Sequence, residues 1–284
     1  MRLSFNANLQ RQKQMIMKHH ISLHIWSVIV CFVYMFSFVA CSPKQTVETE
    51  QISFSKSYCL TDACNDSISL QFEIEFPTIL DDEAALSLIQ QDLISRFFGE
   101  EYSDMKLADA IDAYVKFSYT EYIANNRAFA ERLEGDEDKE GAILSEQQDL
   151  RGRVVATDNS ILTYEVEQYV YMGGAHGINT RYFYNYDMQT GKLLEEKDVF
   201  KEGYADELTK ILQQTVIEQS EEFSSRQDFI DAGFEFDSIH PNGNFALTED
   251  AISYVFNPYE IAPYVYGETE IVIDKGLLRE LLKE

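Results

Sequence analysis

Basic residues are scarce in this chain: 23 lysines and arginines stand against 49 aspartates and glutamates, giving a net charge of −26 over 284 residues. A chain this acidic is repelled by phosphate backbones, and no basic stripe interrupts it, so nucleic-acid binding is excluded. With 45% hydrophobic and 25% charged residues the composition is that of a globular protein. The length suits one large domain or two small ones.

Histidine and cysteine are also scarce, with five and four residues respectively. Beyond residue 40 the histidines are His176 and His240, and the cysteines are Cys41, Cys59 and Cys64. Histidine-rich metal sites and a catalytic cysteine are therefore excluded, and the motifs GxSxG, HExxH, Walker A and GxGxxG do not occur. The sequence predicts no catalytic residue, no metal site and no cofactor.

The first forty residues differ from the rest of the chain. Residues 1–40 contain no acidic residue, begin with a basic segment and continue as an apolar run over 21–40. This order is typical of a secretory signal peptide. The segment Phe38-Val39-Ala40-Cys41 resembles the lipobox of bacterial lipoproteins, which implies cleavage before Cys41 and lipidation of that residue. The alternative is that the apolar run stays as a transmembrane anchor.

Cys59 and Cys64 are close in sequence and follow a predicted export signal. In an oxidising compartment such a pair indicates a disulfide that closes a small loop. A redox or metal pair is the alternative, but it needs a CxxC spacing or further ligands, and neither is nearby.

The exported part begins with a predicted tether and a first module. Residues 41–65 comprise the lipidated cysteine and a polar tether without periodicity, and residues 66–150 form an N-terminal α+β module. Within that module, 67–76 alternates like a half-buried strand, and two amphipathic helices end near Gly99 and Leu133. An acidic segment, 134–140, follows as a solvated link.

Residues 151–284 are predicted to form a C-terminal α+β module. Its predicted strands are 151–158, 161–172, 179–187, 245–247, 251–256 and 270–273, and its predicted helices are 204–221, 226–232 and 275–282. Because strands and helices are grouped and do not alternate strictly, the fold class is α+β, with mostly antiparallel sheets and packed helices, in two modules after a signal peptide.

Two loops are candidate ligand-binding sites. The first is Gly173-Gly174-Ala175-His176-Gly177, in which three glycines around one histidine lie between two strands. His176 is either a binding or catalytic residue or a turn residue that bonds its own backbone. The second loop carries Tyr259, Tyr264 and Tyr266 and is stiffened by Pro258 and Pro263, and these rings either contact a ligand or cap the core.

These two loops occur in a pattern that resembles a known family. The pattern also includes Asp187-Met188-Gln189-Thr190-Gly191 and Asp198-Val199-Phe200. It resembles the C-terminal module of the extracellular region of the lysozyme-sensing anti-sigma factor, which also precedes a peptidoglycan deacetylase catalytic domain. Residues 69–98 and the following helix resemble the companion N-terminal module, whose function is uncharacterised.

The resemblance implies a protein outside the cytoplasm that binds a protein or cell-wall glycan and has no catalytic activity. Combined with the lipobox-like site, it predicts a membrane-anchored lipoprotein of the bacterial cell envelope, facing the periplasm or the exterior. Its expected partners are the membrane, through the lipid, and a cationic protein such as lysozyme or the cell-wall glycan. Two alternatives stay open: a structural lipoprotein without a specific ligand, and a hydrolase with an unrecognised carboxylate site.

Overall fold

Two antiparallel-rich sheets, each with its own helices and apolar core, make up the described part of the chain. The computed structural model describes residues 46–62, 64–133, 144–158 and 160–283. The predicted signal peptide, Cys41 and the acidic segment 134–140 lie outside these residues. Gln45–Glu284 forms one compact unit. None of its described helices is both long and apolar enough to cross a bilayer.

The described residues form eight strands and five α-helices. The strands are β1 (Glu48–Cys59), β2 (Ser67–Ile79), β3 (Glu146–Asp158), β4 (Ile161–Tyr171), β5 (Ile178–Asp187), β6 (Phe245–Leu247), β7 (Ala251–Phe256) and β8 (Thr269–Asp274). The α-helices are α1 (Glu83–Phe98), α2 (Leu107–Leu133), α3 (Glu196–Val199), α4 (Ala205–Gln219) and α5 (Arg226–Asp231).

The first sheet has the strand order β1-β2-β3-β4-β5. All neighbours are antiparallel except β2 and β3, which run parallel. A parallel pair needs a long crossover, and α1 and α2 supply it. The side chain of Asp82 accepts from the backbone N–H of Ala85 and so caps α1, whose Ile89, Leu93 and Phe97 are buried against the sheet.

The second sheet has the order β6-β7-β8 and is antiparallel throughout. Leu208 and Leu212 of α4 are fully buried in its core, together with Phe229 of α5. This core begins at Phe200 and ends at Leu278, whereas the core of the first sheet runs from Leu60 to Met188.

Buried asparagines join the two sheets along the outer edge of β5. Asn257 accepts from the N–H of Arg181 at 2.7 Å, and Asn244 accepts from the N–H of Phe183 at 2.9 Å. In the other direction, Asn185 of β5 donates to the carbonyl of Phe245 at 2.7 Å. These amides satisfy backbone groups that an edge strand would otherwise leave unpaired in a buried position.

The predicted α+β class with a mostly antiparallel sheet is confirmed. The predicted helices near α1, α2, α4 and α5 are present, as are the strands that correspond to β2–β8. The predicted disulfide between Cys59 and Cys64 is also present, with Cα atoms 4.8 Å apart.

The tether predicted over 41–65 requires correction, because Glu48–Cys59 forms β1 and pairs with β2 along its whole length. Ile52, Phe54 and Tyr58 alternate with polar residues and pack against the first core. Lys56 interrupts this alternation, and the surrounding serines and glutamates are typical of a solvated segment. These polar residues hide the strand period of two in the sequence.

The module boundary predicted between 150 and 151 also lies elsewhere. It would cut β3, which pairs with β2 from Ile68–Glu146 to Ile74–Gly152. The two cores divide between Met188 and Phe200. The change from a helical to a strand pattern predicts a boundary at this point, but a parallel pairing across a helical crossover leaves no local signal in the sequence.

The predicted terminal helix over 275–282 is a series of hydrogen-bonded turns instead. Leu278 is buried, and Leu282 forms an antiparallel bridge with Phe200. The segment is short and contains Gly276, which disfavours a helix, and its backbone bonds instead to the chain around Val199.

Candidate functional site

The glycine-rich loop, Gly173–Gly177, connects β4 to β5. Gly173 and Gly174 have φ angles of 79° and 93°, which favour glycine over residues with a Cβ. The Tyr171 hydroxyl donates to the carbonyl of Gly174 at 3.0 Å. Gly177 lies against the ring of Tyr169, and a Cβ there would come within 2.5 Å of that ring. The loop therefore needs glycine at three positions for two different reasons.

The tyrosine loop, residues 257–267, follows β7. The N–H of Asn257 donates to the Glu260 carboxylate at 3.0 Å, and the N–H of Glu260 donates to the carbonyl of Asn257 at 3.0 Å. Tyr259, at the apex of this turn, has a φ of 73°, a left-handed conformation that costs a non-glycine residue about 1–2 kcal/mol. The surrounding bonds hold Tyr259 in that conformation, with 59% of the residue exposed.

The two loops meet in a row of three stacked rings, which we call the aromatic ledge: His176, Tyr264 and Tyr259. The rings of His176 and Tyr264 are stacked with centroids 4.0 Å apart, and those of Tyr264 and Tyr259 with centroids 5.6 Å apart. The Tyr264 hydroxyl donates to the carbonyl of Gly177 at 2.7 Å. Nδ1 of His176 lies 3.0 Å from the same carbonyl, so its proton is placed to donate there.

Tyr266, the third predicted tyrosine, does not join the ledge. Its ring packs against Phe234 and Phe223, with centroids 4.8 Å and 6.0 Å away. The sequence left two roles open for these rings, and the structure divides them. Tyr259 is exposed at the surface, Tyr264 is half-buried between the rings of His176 and Tyr259, and Tyr266 mainly covers the second core.

A cleft of about 580 Å³ adjoins Tyr264. Its walls come from β3, β4, β5 and the tyrosine loop, and they carry Arg151, Glu167, Asn179, Thr180, Arg181, Tyr264, Tyr266 and Glu268. A few polar groups that converge in a cleft are one feature of a ligand-binding site.

Arg181 is the central charge of this cleft. Its guanidinium lies 2.7 Å from both Glu268 and Glu270 and 3.8 Å from Glu165, whose side chain is only 3% exposed. Arg153 also pairs with Glu165. Burial raises the pKa of Glu268 above its ordinary value, and the charge of Arg181 opposes that shift. The network fixes the Arg181 side chain and so gives the floor of the cleft a defined shape.

Arg181, Glu165 and Asn257 were missed by sequence reasoning. A charged residue within a strand pattern, such as Arg181 or Glu165, is normally expected on the solvent face, and Asn257 lies in the predicted tyrosine loop without a signal of its own. Among the described residues, no group of three or more metal-ligating side chains converges. The arrangement offers ring faces for stacking and fixed hydrogen-bonding groups, which are the means of binding a ligand.

Comparison with known proteins divides the chain into two parts, as its two apolar cores do. Residues 63–179 match a family described as Deacetylase PdaC, and residues 197–275 match one described as Protein of unknown function (DUF3298). The peptidoglycan-N-acetylmuramic acid deacetylase PdaC of Bacillus subtilis is 29% identical over 169 residues, which cover 56% of this chain and 35% of that protein. The chain thus spans about a third of this relative's length.

Solved structures share the fold. A DUF3298 family member from Bacteroides fragilis superposes with a TM-score of 0.78 at 24% identity, over 85% of this chain and 95% of that one. A DUF3298 family protein from Pseudomonas aeruginosa gives a TM-score of 0.55 at 18% identity, over 84% and 95%. His176 lies in the first matched region and Tyr264 in the second. Two different families therefore match successive parts of the chain, in the same order as the predicted modules, which confirms the two-module resemblance.

Proposed function

We propose that this chain is a non-catalytic binding protein of the bacterial cell envelope, whose ligand lies across the aromatic ledge and enters the adjoining cleft. The observation that carries the proposal is the convergence of His176, Tyr264 and Tyr259, drawn from two separately matched regions, into one exposed surface. Core packing alone does not require an exposed Tyr259 in a left-handed conformation, so a contact role explains it better.

The ligand we propose first is the glycan of peptidoglycan. Sugar rings present apolar C–H faces, which pack on tyrosine and histidine rings, while their hydroxyl and amide groups need hydrogen-bonding partners. Next to the ledge, Arg151, Glu167 and Thr180 offer such partners in the cleft. The Bacillus relative is named as a peptidoglycan deacetylase, which supports a ligand of this class.

A cationic protein such as lysozyme is the second candidate, and the net charge of −26 favours it. Such a charge steers a basic partner toward the surface, and tyrosines on a stiff loop are effective contact residues. The negative charge alone would also attract basic proteins without specificity. That attraction fades near physiological ionic strength, where the Debye length is about 8 Å, so binding that persists there requires specific contacts.

The absence of catalysis is part of the proposal. The matched region named after a deacetylase makes hydrolysis the alternative, and the chain spans 35% of that enzyme. Two carboxylates that converge on the cleft region, Glu268 and Glu165, are each paired with Arg181, an arrangement that suits a fixed binding surface better than proton transfer. Anchoring to the membrane through a lipid on Cys41 remains our further expectation for its location.

Titration calorimetry of the purified chain at physiological salt tests the proposal, with soluble peptidoglycan fragments and lysozyme as separate probes. We expect Tyr259→Ala and Tyr264→Ala to weaken binding about tenfold, since a buried aromatic contact contributes roughly 1.4 kcal/mol or more. Phe117→Ala is the matched control, because Phe117 is similarly exposed, at 53%, but lies on α2. Equal binding by all three variants, or release of acetate or sugar from the fragments, would refute the proposal.

A further inference from the structure

The outer edge of β1 is exposed in a way that the other sheet edges are not. Within the described residues β1 pairs only with β2, and the one side chain that bonds to its backbone is Thr78, whose hydroxyl donates to the carbonyl of Glu48 at 3.3 Å. The edge of β5 is capped by Asn244 and Asn257. The edge of β8 is capped by Gln219, whose amide bonds to both the carbonyl and the N–H of Val272. The fold thus covers its other edges with side-chain amides.

β1 lacks some of the features that protect an edge strand. It is 12 residues long and contains no proline, and its charged residues are Glu48, Glu50 and Lys56. Its only irregularity lies at its start, between Glu48 and Thr49. Natural proteins usually block such an edge with proline, several charges or a bulge, because unpaired N–H and C=O groups recruit another strand. A long regular edge is therefore suited to pairing with a second chain.

The sequence of β1 is complementary to itself when read in the opposite direction. If Ser53 faces Ser53 of a second copy, Glu50 faces Lys56 on both sides of the symmetry axis. In the same register Ile52 faces Phe54, so an aliphatic side chain meets an aromatic one. These four residues alternate along one face, and opposite residues on adjacent strands lie about 5 Å apart, close enough for both kinds of contact.

Neighbouring registers lose this match. Centring the pair on Ile52 places Glu48 opposite Lys56, but it leaves the charge of Glu50 opposite Phe54. Centring it on Phe54 places Lys56 opposite Ile52. Ile52 and Phe54 are only half-buried on the face of the first core, and Phe54 stacks on Phe72 with centroids 5.4 Å apart. A second strand in the Ser53-centred register would cover the exposed side of both.

We propose that the chain forms a two-fold symmetric dimer by antiparallel pairing of β1 with β1 of a second copy, centred on Ser53. The pairing joins two five-stranded sheets into one continuous sheet. Its backbone hydrogen bonds supply affinity, and the two Glu50–Lys56 pairs select the register. The aromatic ledge is not part of this interface, so the dimer and the proposed ligand binding are tested independently.

Charge variants of the full chain test the pairing, because a dimer has twice the molecular mass of a single chain in solution. By sedimentation equilibrium at micromolar concentrations we expect a dimer for the native chain. Glu50→Lys or Lys56→Glu places like charges opposite each other twice, and we expect each to weaken the dimer about tenfold or more. The double variant E50K/K56E restores opposite charges and should restore dimerisation. A native chain that stays monomeric, or a double variant as weak as the single ones, overturns the proposal.

Cysteine trapping tests the register independently of affinity. In an antiparallel pair, facing Cα atoms lie about 4.5–5.5 Å apart, within the range that a disulfide spans. Under mild oxidation Ser53→Cys should give a dimer whose two copies are linked by a disulfide at position 53, identified by peptide mapping. Ser55→Cys, on the same strand and also exposed, faces Gln51 and should not link to itself. Linkage of both variants at equal rates, or of Ser55→Cys alone, contradicts the proposed register.

Discussion

The imidazole of His176 lies flat against the phenol ring of Tyr264, with centroids 4.0 Å apart and planes 17° apart. The Tyr264 hydroxyl also donates to the backbone of Gly177, 87 residues away in the chain. One tyrosine thus links the loop between β4 and β5 to the loop after β7. The ledge is consequently a contact between the two modules as well as an exposed surface.

The hydrogen bond of Tyr264 should contribute measurably to stability. Tyr264→Phe keeps the stacked ring but removes the bond to Gly177, so we expect the free energy of unfolding to fall by about 1 kcal/mol. His176→Ala removes the ring that stacks on Tyr264, and it should lower the melting temperature by about as much as Tyr264→Phe does. Tyr259→Phe is the control, since the Tyr259 hydroxyl, which is exposed, makes no hydrogen bond to any described residue. Denaturant unfolding that fails to separate Tyr264→Phe from this control would count against the linking role.

The disulfide should stabilise the end of β1. The five-residue separation between Cys59 and Cys64 closes a small loop, for which chain entropy accounts for about 2 kcal/mol. Replacing both cysteines with serine should lower the unfolding free energy by up to that amount and leave the ledge unaffected. Alkylation of the unreduced, exported protein should find neither thiol free. Two reactive thiols at these positions would contradict the bond.

Glu146 should make stability depend on pH. Burial raises its pKa above the ordinary value of 4.5, and the hydrogen bond from Asn126 opposes the shift. A carboxyl whose folded-state pKa is raised contributes stability at low pH, and that contribution is lost as the pH rises through the folded-state pKa. We therefore expect the melting temperature of Glu146→Gln to rise relative to that of the native chain as the pH increases above the ordinary carboxyl pKa of 4.5.

Glu121→Gln is the matched control for this pH effect, because Glu121 is exposed on α2. Its melting temperature should follow that of the native chain across the same range. If the difference between Glu146→Gln and the native chain does not change with pH, burial of Glu146 has no energetic consequence.

Cys41 carries the prediction about location. If it is lipidated after cleavage, Cys41→Ser should block maturation and leave an uncleaved precursor, and the native chain should incorporate a palmitate analogue. Ser42→Ala, at the neighbouring position, should be processed normally. Unchanged processing of Cys41→Ser without any labelling would contradict the lipoprotein assignment and favour an uncleaved anchor.

Sequence reasoning found both loops of the ledge but not their contact. The glycines around His176 and the prolines that precede Tyr264 are local signals, whereas the stacking of the two rings depends on how the modules pack. The same limit explains why the parallel pairing of β2 with β3 was missed. Buried Asn244 and Asn257 are indistinguishable in sequence from solvated loop asparagines, because only tertiary structure determines which backbone groups they meet. The disulfide was predictable because compartment and proximity suffice for it.

Hydrogen exchange measured by mass spectrometry, with and without saturating soluble peptidoglycan fragments, tests the central claim most directly. The account predicts slower exchange in both loops at once, 173–177 and 257–267, and unchanged exchange in α2. Repeating the measurement with lysozyme at physiological salt distinguishes the second candidate ligand. Protection confined to other surfaces, or no protection by either probe under conditions where it binds, would contradict a ligand site at the aromatic ledge.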